Sequence, residues 1–149
     1  MVDESRIGIY NYLYDLFYDV VTKNVYAMQE PQELTSSDAK DGFLVIQVGN
    51  INDESEFTCE TYGWARCYVY AFVPPISRGR LDYDKFESFE NAINEVISTE
   101  CETHTGTYGI QSDTVLSTDI VEKSNANNTY FTFAKSFIVN IDKQEISNE

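Results

Sequence analysis

The segment Phe131–Ile141 constrains the fold more than any other stretch of the chain. Its odd positions are Phe131, Phe133, Lys135, Phe137, Val139 and Ile141, and its even positions are Thr132, Ala134, Ser136, Ile138 and Asn140. Near-strict alternation at this length is the period of a β-strand, whose successive side chains point to opposite faces. One face of the strand must be buried, because a one-residue slip would turn every odd-position phenylalanine outward. A sheet with at least one covered face follows from this segment alone.

Two further stretches extend that sheet. Phe43-Leu44-Val45-Ile46-Gln47-Val48 is a nearly continuous apolar run of strand length. Within Phe57–Val73, the best strand segment is Cys67-Tyr68-Val69-Tyr70-Ala71-Phe72-Val73. Small or branched residues alternate there with aromatic ones, so both faces are substantially apolar and the strand is expected at the centre of the sheet or against a partner. Pro74-Pro75 ends it, since proline has no N–H for the ladder. Thr107–Ser112 and Val115–Glu122 read as additional strands. The turn cluster Ser124–Asn128 predicts that Val115–Glu122 and Tyr130–Ile141 form an antiparallel hairpin.

Helical periodicity occurs twice. Over residues 5–23, Ile9, Leu13, Leu16, Phe17, Val20 and Val21 recur at steps of three and four. Tyr10, Tyr12, Tyr14 and Tyr18 widen that stripe until it borders solvent or a neighbouring chain. The second helix is predicted over residues 82–99, with Phe86, Phe89, Ile93, Val96 and Ile97 on one face and Asp82 or Asp84 as its cap. Residues 29–41 and 50–55 read as polar loops. The predicted fold is therefore α+β: a mostly antiparallel sheet of four to six strands with two helices packed on it, N-terminal helix first. Residues 1–142 form one domain, and 143–149 a polar tail.

Charge restricts function next. Ten basic residues against 25 acidic ones give a formal net charge of −15, which repels a phosphate backbone and argues against nucleic-acid binding by charge neutralisation. A surface that must let DNA slide without sticking would also be acidic. No apolar run of about 20 residues is present to span a bilayer as a helix, and residues 1–5 do not begin a signal peptide. With three cysteines, Cys59, Cys67 and Cys101, the expectation is free thiols in a reducing cytoplasm.

No catalytic set emerges from the residues. Cys101-x-x-His104 has a spacing that metal tolerates, but Cys59 and Cys67 are too far apart in sequence to form a knuckle. His104 has no nucleophile motif near it, and the alternating Asn50, Asn52, Glu54 and Glu56 lack the glycine and terminal glutamate of a calcium loop. No glycine-rich phosphate loop occurs. No enzyme activity, metal or cofactor is expected. Arg78 and Arg80 stand apart, as two of only ten basic residues flanking Gly79 in the loop after the central strand. They either pair locally with Asp82 or Asp84, a weak surface interaction, or dock into an acidic patch on a neighbouring copy. The eleven tyrosines and nine phenylalanines exceed what one small core obviously needs, and aromatic side chains are enriched in contact surfaces. Tyr10, Tyr14, Tyr18, Tyr68, Tyr70, Arg78 and Arg80 are the candidate interface residues.

The order of elements resembles a known family. An amphipathic N-terminal helix leads to the short Val25-Tyr26 segment, a proline-containing polar stretch and the strand Phe43–Val48. The strand Ala65–Val73, a helix and a final hairpin ending in Phe133–Ile141 follow. This pattern is similar to the tail-completion or tail-terminator proteins of tailed bacteriophages, which form rings at the head–tail junction. The resemblance implies a structural virion protein, made in the bacterial host cytoplasm, that assembles as a homo-oligomeric ring with portal, neck and tail proteins. DNA would pass nearby without being specifically bound, and no membrane would be involved. The alternative is a small non-catalytic binding or accessory module on an open α+β sheet.

Overall fold

A computed structural model describes residues 6–29, 35, 40–53, 62–76, 80–103, 108–125 and 128–142. Its elements are α1 (Arg6–Phe17), β1 (Val25–Ala27), β2 (Phe43–Val48), β3 (Asn52–Asp53), β4 (Tyr62–Val73), α2 (Tyr83–Thr103), β5 (Tyr108–Ile110), β6 (Leu116–Ser117), β7 (Val121–Asn125) and β8 (Asn128–Asp142). The fold is α+β, with the N-terminal helix first and one mixed sheet in the order β1-β2-β4-β8-β5. All pairings among the described residues are antiparallel except β1 with β2.

The eight strand segments among the described residues exceed the expected four to six, because two columns of the sheet are broken into pieces rather than because the sheet is wider. β3 continues the column of β2 along β4. The register moves from Val48↔Cys67 to Asn52↔Trp64, which leaves one extra residue on the β2–β3 side, a bulge. Gly49 sits at its start, where a Cβ would lie 2.8 Å from the Arg66 carbonyl oxygen. On the far side, β5, β6 and β7 all pair with β8. Threonines fill the gaps between them: Thr114 Oγ1 accepts the Ile138 N–H at 2.9 Å and Thr118 Oγ1 accepts that of Ala134 at 2.8 Å. Side chains thus satisfy ladder groups that a continuous strand would have paired. This is why the strands expected over 107–112 and 115–122 appear as three short pieces.

Both helices cover the same sheet face. Ile9, Leu13 and Phe17 of α1 and Phe86, Phe89, Ile93 and Ile97 of α2 pack with Leu44, Ile46, Val69, Ala71, Phe133, Phe137 and Val139. Lys135 shares that face, only 4% exposed, where alternation predicts an apolar side chain. Its Nζ reaches Glu90 Oε2 at 3.2 Å and Ser117 Oγ at 2.6 Å, so the buried cation ties α2 and β6 to the middle of β8.

The first helix stops at Phe17, short of the predicted residue 23. Asp19 takes a left-handed φ of 60° and turns the chain towards β1, so Val20 and Val21 leave the helix although their spacing continues it. The second helix runs on to Thr103, with Asp82 as its cap: the Asp82 Oδ1 accepts the Lys85 N–H at 3.1 Å. Among the described residues no helix is long and apolar enough to cross a membrane.

Gly42 sets the entry to β2. Its φ is +82°, and a Cβ there would run into the Phe72 carbonyl oxygen, with Pro74 Cδ at 3.1 Å and Phe89 Cζ at 3.2 Å. Backbone and core both block it, so neither strain nor clash can relax cheaply. Gly42→Ala is expected to lower unfolding stability by about 3 kcal/mol, read as a lower urea midpoint with an unchanged slope.

Candidate interaction site

Phenylalanine and tyrosine separate cleanly in this structure. Seven of the eight phenylalanines among the described residues are buried, whereas Tyr130 is the one buried tyrosine among them. A phenol at a boundary buries its ring and keeps its hydroxyl wet. The tyrosines therefore mark the limits of the core, and they do so on two separate surfaces.

The first surface is the flank of α1. Tyr10, Tyr14 and Tyr18 are spaced by four and form a ladder, with ring centroids 5.9 and 5.2 Å apart. Tyr18 is 42% exposed. Burial, with Tyr14 alongside, pushes the Tyr10 hydroxyl above its ordinary pKa. Tyr12 takes the opposite flank, towards α2. Its ring stacks on Tyr108 at 5.1 Å and its hydroxyl donates to Glu100 Oε1 at 2.5 Å. Burial first, and that hydrogen bond second, hold the Tyr12 proton in place.

The second surface is the sheet face that carries no helix among the described residues. At one end of it Phe43, Phe72 and Tyr130 form a small core with Val45. Phe43 and Phe72 stack at 4.5 Å, and Tyr130 meets both edge-on. Along β4 the face then becomes half-exposed: Tyr70 and Tyr68, with rings 6.0 Å apart, then Arg66 and Trp64. The Arg66 guanidinium crosses to donate to Ser136 Oγ at 2.7 Å. Tyr68 and Tyr70 thus form a platform on the opposite side of the sheet from the Tyr10–Tyr14–Tyr18 ladder, and the five tyrosines do not meet.

Arg80 is exposed just before α2, paired through its backbone with Ile76 in an isolated bridge. Arg78 lies outside the described residues, as do Cys59 and His104. Cys67 is fully buried in the main core. Among the described residues no group of three or more His, Cys, Asp or Glu is placed to hold a metal ion.

Three features escape sequence reading. Leu116, Ile120 and Val121 are 61%, 44% and 56% exposed along the β6–β7 edge, apolar side chains left outside the core. Ile76 and Tyr83 stand out beside Arg80, at 42% and 67% exposed. A groove of about 450 Å³ opens at the seam of α1 and α2, lined by Leu16, Val20, Ala92, Val96, Glu95, Thr99 and Glu100. Only the broad apolar stripe of α1 hinted at the last. No protein-family model matches the chain, and no curated protein matches it in sequence.

Burial pushes the Cys67 thiol up from its ordinary 9.0 to about 12, against smaller lowering effects of the Gly49 backbone and Arg66. Below pH 9 the thiol is protonated in both states and has no pH-dependent effect. Between 9 and about 12 the unfolded chain releases a proton that the folded chain keeps, so stability falls as pH rises. Tyr10 and Tyr12 act in the same direction. Cys67→Ala is expected to flatten, without abolishing, the decline of stability between pH 9 and 11.5, the difference staying under about 4 kcal/mol. Urea melts across that range read the change of slope.

Proposed function

We propose that this chain is a structural virion protein that forms a homo-oligomeric ring at the head–tail, or neck, junction of a tailed phage. It acts by protein–protein assembly around the DNA channel, with portal, neck and tail proteins as its other partners. It is made in the bacterial host cytoplasm and resides in the virion. The observation that supports this reading best is the placement of tyrosine. Aromatic area beyond the core is kept half-exposed on two opposite surfaces, a helix flank and an open sheet face. Amphipathic rings at a boundary suit a partner's surface better than bulk water. The net charge of −15 supports the second half of the reading, since an acidic lumen lets DNA pass without adhering. The role needs no catalytic group or cofactor.

A small non-catalytic binding module is the second reading, favoured by the half-exposed β4 platform and by the α1–α2 groove. It differs in requiring a monomer that a small ligand stabilises.

Concentrated protein, alone and mixed with neck and tail proteins, is expected to give a closed ring of one stoichiometry by native mass spectrometry and negative-stain microscopy. Duplex DNA should not shift in a gel at physiological salt. A chain that stays monomeric at every concentration and joins no neck or tail protein would contradict the reading.

A further inference from the structure

We infer that the groove between α1 and α2 is the socket for the Arg80 corner of a second copy of this chain, a head-to-tail contact; the inference rests on the self-assembly proposed above. The groove has an apolar floor of Leu16, Val20, Ala92 and Val96. Its rim carries the carboxylates of Glu95 and Glu100, and no cation among the described residues lines it. Glu100 already accepts the Tyr12 hydroxyl, which fixes one oxygen in place; a carboxylate has acceptor capacity to spare for a guanidinium.

The complementary shape stands at the start of α2. Ile76 N–H donates to the Arg80 carbonyl oxygen at 2.8 Å, which sets the two residues side by side. Arg80 is exposed there, with the exposed Ile76 across the bridge and the exposed Tyr83 three residues further on. An apolar–cationic knob is an odd feature on a chain of net charge −15, and so is a groove rimmed by carboxylates with no balancing cation among the described residues. Each is the chemical complement of the other: Ile76 and Tyr83 cover the floor while Arg80 meets the rim. Burial against apolar walls strengthens such a pair relative to an exposed one.

Knob and socket occupy different stretches leading into and along α2, residues 76–83 and 92–100, so a copy can dock its knob in one neighbour while its own socket receives another's. Each copy that docks its knob still offers a free socket. Heterologous contacts of this kind propagate until rotation closes them into a ring.

The test is a charge-swap cycle on the full chain, with self-association followed by sedimentation velocity over a wide concentration range. Glu95 suits the swap because, unlike Glu100, it does not anchor Tyr12. Arg80→Glu and Glu95→Arg are each expected to raise the concentration for half-assembly roughly tenfold or more. The double variant, with the charges exchanged, should return to within about threefold of the original. Circular dichroism of each variant checks that the fold is retained. Four chains that assemble alike, or single-swap losses that the double swap fails to repair, would overturn the docking contact and leave ring formation standing. An unsubstituted chain that never self-associates would overturn both.

Discussion

The ladder between β4 and β8 is the constraint on which the rest of the structure depends. Twelve residues of each strand pair without interruption, from Tyr62↔Asp142 to Val73↔Phe131. Every other strand except β1 attaches directly to one of these two, and both helices pack on the face they share. Parity fixes that face: Ala65, Cys67, Val69, Ala71 and Val73 lie beside Val139, Phe137, Lys135, Phe133 and Phe131 in register. A slip of one residue would exchange this set for Arg66, Tyr68, Tyr70, Ser136 and Asn140, and no core could form. Lys135 adds a second restraint, because its reach to Glu90 and Ser117 exists in one register alone.

Small side chains on β4 and large ones on β8 and the helices make the packed face work. Ala71 lies across from Phe133, and Cys67 from Phe137, so bulky rings sit beside neighbours that leave them room. Phe86 from α2 then contacts Phe133 at 4.7 Å between centroids. The other face is built differently. Phe43 stacks on Phe72 and Tyr68 on Tyr70, Tyr130 meets the first pair edge-on, and Arg66 reaches across to Ser136. That face is therefore ordered without the described helices, and it presents rings and polar tips together.

The parts of this arrangement governed by period two were legible in the sequence. β8, β2 and the aromatic half of β4 carry their pattern in consecutive residues, and α2 announced itself by an apolar stripe at steps of three and four, with Asp82 or Asp84 to cap it. What was not legible depends on partners distant in the chain. Val20 and Val21 keep a helical spacing but leave the helix at the left-handed Asp19, whose conformation no neighbouring residue demands. The broken edge at β5–β7 is held by Thr114 and Thr118 hydroxyls, and threonine in a polar stretch gives no sign that it will replace a ladder bond. Lys135 looked like a defect in the alternation until Glu90, a helix away, was placed beside it. For the interaction surfaces, composition flagged tyrosine in excess, but only three dimensions divide Tyr10, Tyr14 and Tyr18 from Tyr68 and Tyr70. The groove needs both helices and could not be read from either.

A fold of this kind leaves a chain with a firm centre and chemically expressive borders. The interior consumes phenylalanine and aliphatic residues, and the border holds tyrosine, a few cations and many carboxylates; the proposed contacts among copies rest on that border. Hydrogen–deuterium exchange, compared between the dilute chain and its concentrated assembly, tests this most directly. The account predicts new protection confined to the borders, around residues 76–83 and along the α1–α2 seam, with the β4–β8 ladder slow in both states. Exchange that is identical at every concentration would contradict it.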